Sequence, residues 1–72
     1  MKKGTNVGLK ALRIYNGYTQ KELGEKTYIH YTTISDYESG KQDIKNAQDF
    51  TISKLADALN VTKEEIINTK IL

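Results

Sequence analysis

Few side chains in this sequence could carry acid–base, nucleophilic or metal chemistry. The chain has no cysteine and one histidine, His30, which excludes thiolate sites and multi-histidine metal sites. Catalysis needs a nucleophile, acid or base positioned in a pocket, and a chain of 72 residues is too short to form a deep cleft. We therefore expect no enzyme, no metal and no cofactor, and we expect His30 to cap a helix or face a phosphate.

The distribution of charge indicates where an anionic partner would bind. Residues 1–45 carry eight basic and five acidic side chains, whereas residues 46–72 carry three basic and four acidic ones. The N-terminal part is thus the more electropositive. The sequence has no apolar run that could span a membrane, and no apolar stretch follows Lys2 and Lys3, as a signal peptide would require. We expect a cytoplasmic protein without membrane contact.

Start and stop signals divide the chain into helices, and no segment shows the period-two alternation of strands. Thr19 with Glu22, and Thr62 with Glu65, have the spacing of capping boxes. Tyr15 or Asn16 completes the apolar face of the first helix, and Tyr18 and Tyr37 are also expected to pack in the core. The predicted fold is all-α, a single domain over residues 1–72 with helices near 7–16, 19–27, 31–38, 47–59 and 63–69.

The second and third predicted helices are short and joined by a tight turn, which is typical of a helix-turn-helix. Leu23, Ile29 and Ile34 would form the small core of this unit. Gly24 lies where the third helix should cross the second. Since a residue without a Cβ lets two backbones approach closely, this glycine indicates a close crossing.

These segments together resemble the lambda-repressor-like helix-turn-helix family, the phage repressor and Cro type also called XRE-type. The resemblance extends from Leu9 to Ile67, and it implies a compact five-helix domain that binds double-stranded DNA in a bacterium or phage. The segments that carry it are Leu9–Arg13, Gly17–Leu23, Ile34–Lys41 and Leu55–Val61 with Ile66.

The resemblance also implies roles for individual residues. The third helix would lie in the major groove, with Tyr31, Thr32 and Asp36 reaching bases. Gln20 would contact phosphate and support the third helix, and Lys41 would contact the backbone from the following loop. The predicted DNA-binding residues are Thr19, Gln20, Lys21, His30, Tyr31, Thr32, Thr33, Asp36 and Lys41. Arg13 and Glu38 match a partly buried ion pair that ties the first helix to the end of the third.

Three features depart from the family pattern. Tyr28 stands at the turn position that is usually glycine. The third helix has no lysine or arginine, so it cannot use the common arginine-to-guanine contact. The stretch from Gly40 to Leu59 is a few residues longer than in compact phage repressors, which indicates either a longer loop or an extended fourth helix.

The function that the sequence favours is sequence-specific DNA binding by a transcriptional repressor. Since one recognition helix reads only a few base pairs, we expect a homodimer on two half-sites. The fourth and fifth helices would supply the contact through Ile66, Ile67, Ile71 or Leu72. The alternative is a protein-interaction module or an antitoxin-like partner protein, because the third helix is nearly uncharged and exposed tyrosines suit a protein interface.

Overall fold

The computed structural model describes residues 7–68, and this part of the chain is helical with no strand. The prediction of an all-α, five-helix fold is confirmed. The longest helix has 11 residues, and no helix in the described range is long and apolar enough to cross a bilayer. The helices are α1 (Val7–Tyr15), α2 (Gln20–Thr27), α3 (Tyr31–Ser39), α4 (Asp49–Leu59) and α5 (Lys63–Ile67), with a 3-10 helix at Ile44–Asn46.

Two reciprocal caps fix the starts of α2 and α5. The Thr19 hydroxyl accepts from the Glu22 amide at 3.0 Å, and the Glu22 carboxylate accepts from the Thr19 amide at 2.9 Å. Thr62 and Glu65 make the same two bonds at 3.1 and 2.8 Å. Both predicted capping boxes are confirmed, and each cap residue contributes about 1 kcal/mol to a helix that is otherwise short.

The turn between α2 and α3 brings the two helices into close contact. Tyr28 has a φ of 60° and a ψ of 28°, a left-handed conformation. A Cβ on Gly24 would lie 2.6 Å from the carbonyl oxygen of Ile29 and 3.3 Å from the amide nitrogen of Tyr31. The predicted reason for a glycine at this crossing is therefore confirmed. A tyrosine in the left-handed region costs on the order of 1 kcal/mol.

The hydrophobic core holds α2 and α3 against α1, α4 and α5. Leu23 and Ile34 of the helix-turn-helix are fully buried, and Ile29 packs against the core from the turn. Burying one such aliphatic side chain contributes roughly 1.5–3 kcal/mol. The buried core residues are Leu9, Leu23, Ile34, Tyr37, Ile44, Ile52, Leu55, Ala56, Leu59 and Ile66.

Ile66 was expected at a dimer contact, but it has no exposed surface because the core of its own domain encloses it. Ile67 is half-buried, whereas Ile71 and Leu72 lie outside the described residues. Among the expected contact residues that the structure describes, Ile67 alone is open to a second copy.

The segment between α3 and α4 differs from the prediction. The predicted helices, 31–38 and 47–59, leave residues 41–46 as a polar loop between them. In the structure Ile44 is buried and anchors a 3-10 helix whose start is capped by Asp43. The fourth helix was predicted from Ala47, yet Ala47 and Gln48 are extended and α4 begins at Asp49. One apolar residue in a polar stretch thus sets the path of the connection.

Two helix ends also differ from the prediction. The fifth helix was expected to reach residue 69, but it ends at Ile67, with Asn68 after it. Tyr15 is 88% exposed and is not part of the core. Asn16 joins α1 to α4 instead, because its side-chain amide donates to the carbonyl oxygens of Leu12 at 2.8 Å and Leu59 at 3.4 Å.

Candidate nucleic-acid interface

The outer face of α3 holds the residues predicted to read bases. Tyr31 and Thr32 are exposed, and Thr33 and Asp36 are half-buried. Thr32 and Asp36 are four residues apart and therefore lie along one side of the helix. The opposite side of α3 is buried in the domain, so the helix presents a polar, aromatic surface with no cation.

His30 caps the start of α3. Its Nδ1 accepts from the Thr32 amide at 3.2 Å and lies 2.8 Å from the Thr32 hydroxyl oxygen. The imidazole also stacks on the Tyr31 ring, with 4.8 Å between centroids and 24° between planes. His30 therefore organises the first turn of α3, where two of the predicted base-contacting residues lie.

The start of α2 lies beside the start of α3. Lys21 and Glu25 of α2 line one shallow depression together with Tyr28, His30 and Tyr31. Thr19 and Lys21 are exposed, and Thr19 is occupied in the capping box described above. The structure thus brings a lysine and a helix N-terminus next to the exposed first turn of α3.

A buried ion pair connects α1 to the end of α3. Arg13 Nε donates to Glu38 Oε2 at 2.6 Å, and Arg13 Nη2 donates to Glu38 Oε1 at 3.1 Å. The two side chains are only 10% and 4% exposed. Arg13 Nη1 also donates to the carbonyl oxygen of Tyr18 at 2.7 Å, which holds the chain entering α2.

Gln20 joins this ion pair from α2. Its side-chain Nε2 donates to Glu38 Oε1 at 3.0 Å, so one amide hydrogen is engaged within the protein and a second remains. Gln20 is only half-buried. It can therefore support α3 while still facing a ligand, which are the two roles that the family resemblance implies for it.

The loop after α3 carries Lys41 and a residue that sequence reasoning missed. Lys41 is exposed. Gln42 donates from its side chain to the Asp36 carboxylate at 3.3 Å and from its backbone to the Asp36 carbonyl at 3.1 Å. No helical spacing links positions 36 and 42, and the turn at Gly40, with a φ of 83°, brings them together. Gln42 thus holds the only acidic group on the outer face of α3.

Tyr37 anchors the inner side of α3. Desolvation by burial raises the pKa of its hydroxyl above the usual value for tyrosine. The expectation that Tyr18 and Tyr37 pack structurally agrees with their positions, since Tyr37 is buried and Tyr18 packs against the core.

A small aromatic cluster lies where the turn meets α4. Tyr28 is 88% exposed and Phe50 is 60% exposed. Lys54 Nζ lies 5.3 Å from the centroid of the Tyr28 ring and 5.5 Å from that of Phe50. One ammonium group therefore contacts two exposed rings, an arrangement that the separate positions of these residues in the sequence do not reveal.

Comparison with known proteins identifies the family of this chain and a solved structure with a similar fold. A family model described as helix-turn-helix matches residues 9–66. The crystal structure of the clp gene regulator ClgR from C. glutamicum is similar, with a TM-score of 0.70 and 19% sequence identity over 86% of this chain and 77% of that chain. No sequence among the curated proteins is significantly similar to this chain.

Proposed function

The chain belongs to the helix-turn-helix family of DNA-binding regulators, in its lambda-repressor-like or XRE-type branch, and we propose that it is a sequence-specific repressor that reads the major groove with α3. The observation that carries this proposal is the exposed first turn of α3, with Tyr31 and Thr32, beside the N-terminus of α2 and its Lys21. A bacterial or phage origin and a cytoplasmic location stay predictions.

Binding strength would come from phosphate contacts. The amides in the first turn of a helix have no intrahelical partner and favour anions. Thr19 caps the amide of Glu22, which leaves those of Gln20 and Lys21 for a phosphate. The exposed Lys21 and Lys41 would add charge on either side of α3. Such contacts position a protein on DNA without reading its sequence.

Base recognition would use groups other than arginine. Tyr31 can contact a thymine methyl or a phosphate, and Asp36 can accept from the amino group of cytosine. The bond from Gln42 orients the Asp36 carboxylate and leaves it further lone pairs for such a contact. Thr32 lies between these two residues along the exposed side of α3.

We propose that two copies bind two half-sites about one helical turn apart. The surface of α4 and α5 around Ile67 would form the contact, since Ile67 is half-buried in one copy. This arrangement predicts a pseudo-palindromic operator, and a footprint on a single unrepeated half-site at nanomolar concentration would contradict it.

The experiment that tests the function is selection of bound duplexes from random DNA, followed by salt titration of binding for three variants. Thr32→Ala should relax specificity at one or two base pairs, by about 1–3 kcal/mol. Lys41→Ala should weaken all sequences about equally and lower the slope of affinity against salt by about one. Lys10→Ala is the control, because Lys10 is an exposed lysine of α1 outside both the proposed DNA-binding residues and the α4–α5 surface. If the first two variants bind DNA like the wild type, the proposed interface is wrong.

One observation favours a second candidate function, binding of a protein partner in the manner of an antitoxin. The cluster of Tyr28, Phe50 and Lys54 exposes two aromatic rings, and aromatic residues are enriched at protein interfaces. The two functions separate by salt dependence: DNA binding releases the counterions condensed on DNA, and its affinity therefore falls steeply as the salt concentration rises. Binding that survives high salt and is lost in the Tyr28→Ser, Phe50→Ser double variant would favour the partner.

A further inference from the structure

We propose that His30 fixes the hydroxyl of Thr32 as a hydrogen-bond acceptor toward DNA, so that Thr32 selects a base that presents an amino group in the major groove. The selected groups would be the N6 amino group of adenine or the N4 amino group of cytosine. The inference rests on the proposed function, because it assumes that α3 faces bases. It makes His30 a positioning residue that acts through Thr32.

The hydrogen bonds at the start of α3 determine which group donates. The Thr32 amide donates to His30 Nδ1 at 3.2 Å, so Nδ1 must carry a lone pair and the ring hydrogen must be on Nε2. The Thr32 hydroxyl oxygen lies 2.8 Å from the same Nδ1. Because Nδ1 has no hydrogen, the hydroxyl has to donate its own, and it shares the single Nδ1 lone pair with the Thr32 amide. The hydroxyl is then left with lone pairs and no hydrogen for any other partner.

The surroundings of His30 hold this arrangement in place. The imidazole stacks on Tyr31, so turning the ring would break the stack and the helix cap together. Lys21 and Glu25 are the charged residues of α2 that line the adjoining depression, and Tyr28 lines it from the turn. Thr32 itself is exposed, and its remaining lone pairs can therefore reach a ligand.

The polarity of the hydroxyl has a consequence for base choice. In the major groove adenine and cytosine present amino donors, whereas guanine and thymine present O6 and O4 acceptors. A free threonine hydroxyl can serve either kind of base, because it both donates and accepts. A hydroxyl whose hydrogen is held by His30 serves only the amino-bearing bases.

The first test needs no DNA. His30 is the only histidine in the sequence, so the imidazole ¹⁵N resonances belong to it without further assignment. At pH 8 we expect the Nε2–H form, with the ¹⁵N chemical shift of Nδ1 displaced by hydrogen bonding. In Thr32→Val this chemical shift should return toward that of a nitrogen without a hydrogen bond. A spectrum with the proton on Nδ1 would overturn the inference, whatever the protein binds.

The second test deletes single groups from the bases of a selected operator duplex. Replacing adenine by purine, or cytosine by 2-pyrimidinone, at the contacted position removes the amino group. We expect this to weaken wild-type binding by about tenfold, within the range of a good base contact, and to leave the binding of Thr32→Val unchanged. Replacing guanine by 2-aminopurine, which removes O6, should affect the two proteins equally.

Variants of His30 separate positioning from mere folding. His30→Asn keeps an acceptor and a good N-cap, so it should retain the preference for amino-bearing bases over bases that present O6 or O4. His30→Ala frees the Thr32 hydroxyl to donate as well as accept, so it should lose that preference. If His30→Ala is unfolded by circular dichroism, the imidazole ¹⁵N spectra of the wild type and Thr32→Val decide in its place. A Thr32-dependent preference for O6 or O4 overturns this inference alone, and the absence of any sequence preference in the wild type overturns the proposed function with it.

Discussion

Replacing Arg13 by alanine removes three hydrogen bonds at once, two to Glu38 and one to the carbonyl oxygen of Tyr18. It leaves the Glu38 carboxylate, whose side chain is only 4% exposed, with the Gln20 amide as its one remaining side-chain donor. A carboxylate in that position is neither solvated by water nor neutralised by a cation. The variant therefore tests how strongly the stability of the fold depends on keeping both partners of the buried pair.

The size of the effect follows from burial. Removing one partner of a buried pair costs about 3–5 kcal/mol. A domain of 72 residues is stable by roughly 4–11 kcal/mol, at about 0.05–0.15 kcal/mol per residue. Arg13→Ala should therefore remove about a quarter or more of the stability. In the lower part of this range it would unfold the protein at room temperature.

The assay is urea unfolding followed by circular dichroism at 222 nm, with a matched control on the surface. Lys63 and Asp49 form an ion pair at 3.2 Å whose side chains are 49% and 78% exposed. An exposed pair contributes about 0–1 kcal/mol, so Lys63→Ala should change the free energy of unfolding little. The double variant Arg13→Met, Glu38→Leu should recover part of the loss, because it strands no charge.

A loss from Arg13→Ala no larger than that from Lys63→Ala would refute the reasoning. A loss in the double variant equal to the sum of the losses from Arg13→Met alone and from Glu38→Leu alone would also refute it, because the two residues would then act independently.

Three further predictions concern the turn and the inner side of α3. Tyr28→Gly should raise the free energy of unfolding by up to about 1 kcal/mol, since it relieves the left-handed strain, while Tyr28→Ala should not; chemical denaturation of the two variants measures the difference. Gly24→Ala should destabilise by about 1–3 kcal/mol, because its Cβ would lie 2.6 Å from the Ile29 carbonyl oxygen and the crossing must open; an unchanged or raised melting temperature would contradict the close approach. The raised pKa of Tyr37 means that the folded state keeps the hydroxyl proton at a pH where the unfolded state loses it. The contribution of this hydroxyl to stability is therefore intact below the ordinary tyrosine pKa of about 10 and is lost as the pH rises further. Tyr37→Phe should make the free energy of unfolding less sensitive to alkali, which unfolding of both proteins between pH 8 and 11 measures.

Local signals in the sequence were sufficient to predict where a helix begins when a capping box stands at its start. Thr19 and Thr62 each have a glutamate three positions later, and a capping box depends only on that short spacing. The glycine at position 24 was also predictable, because a close crossing excludes any side chain. These features arise within one turn of helix or between adjacent helices.

The features that were missed depend on tertiary structure. Ile44 is one apolar residue among polar ones, so no periodicity marks the 3-10 helix that it anchors. Tyr15 has the spacing of a core residue, but it is the last residue of α1 and its side chain is exposed. The bonds from Gln42 to Asp36 require the turn at Gly40, and no sequence spacing gives the path of that turn.

The bonds among Arg13, Glu38 and Gln20 also bear on folding cooperativity. Each of the first three helices supplies one of these side chains, and Arg13 and Glu38 are 25 residues apart in the chain. A peptide containing α2 and α3 alone would lack both the Arg13 guanidinium and the core residues of α1, α4 and α5, so we expect that it does not fold by itself. The slowest-exchanging amides of α1 and α3 should therefore exchange only by global unfolding and show equal free energies of opening in native-state hydrogen exchange.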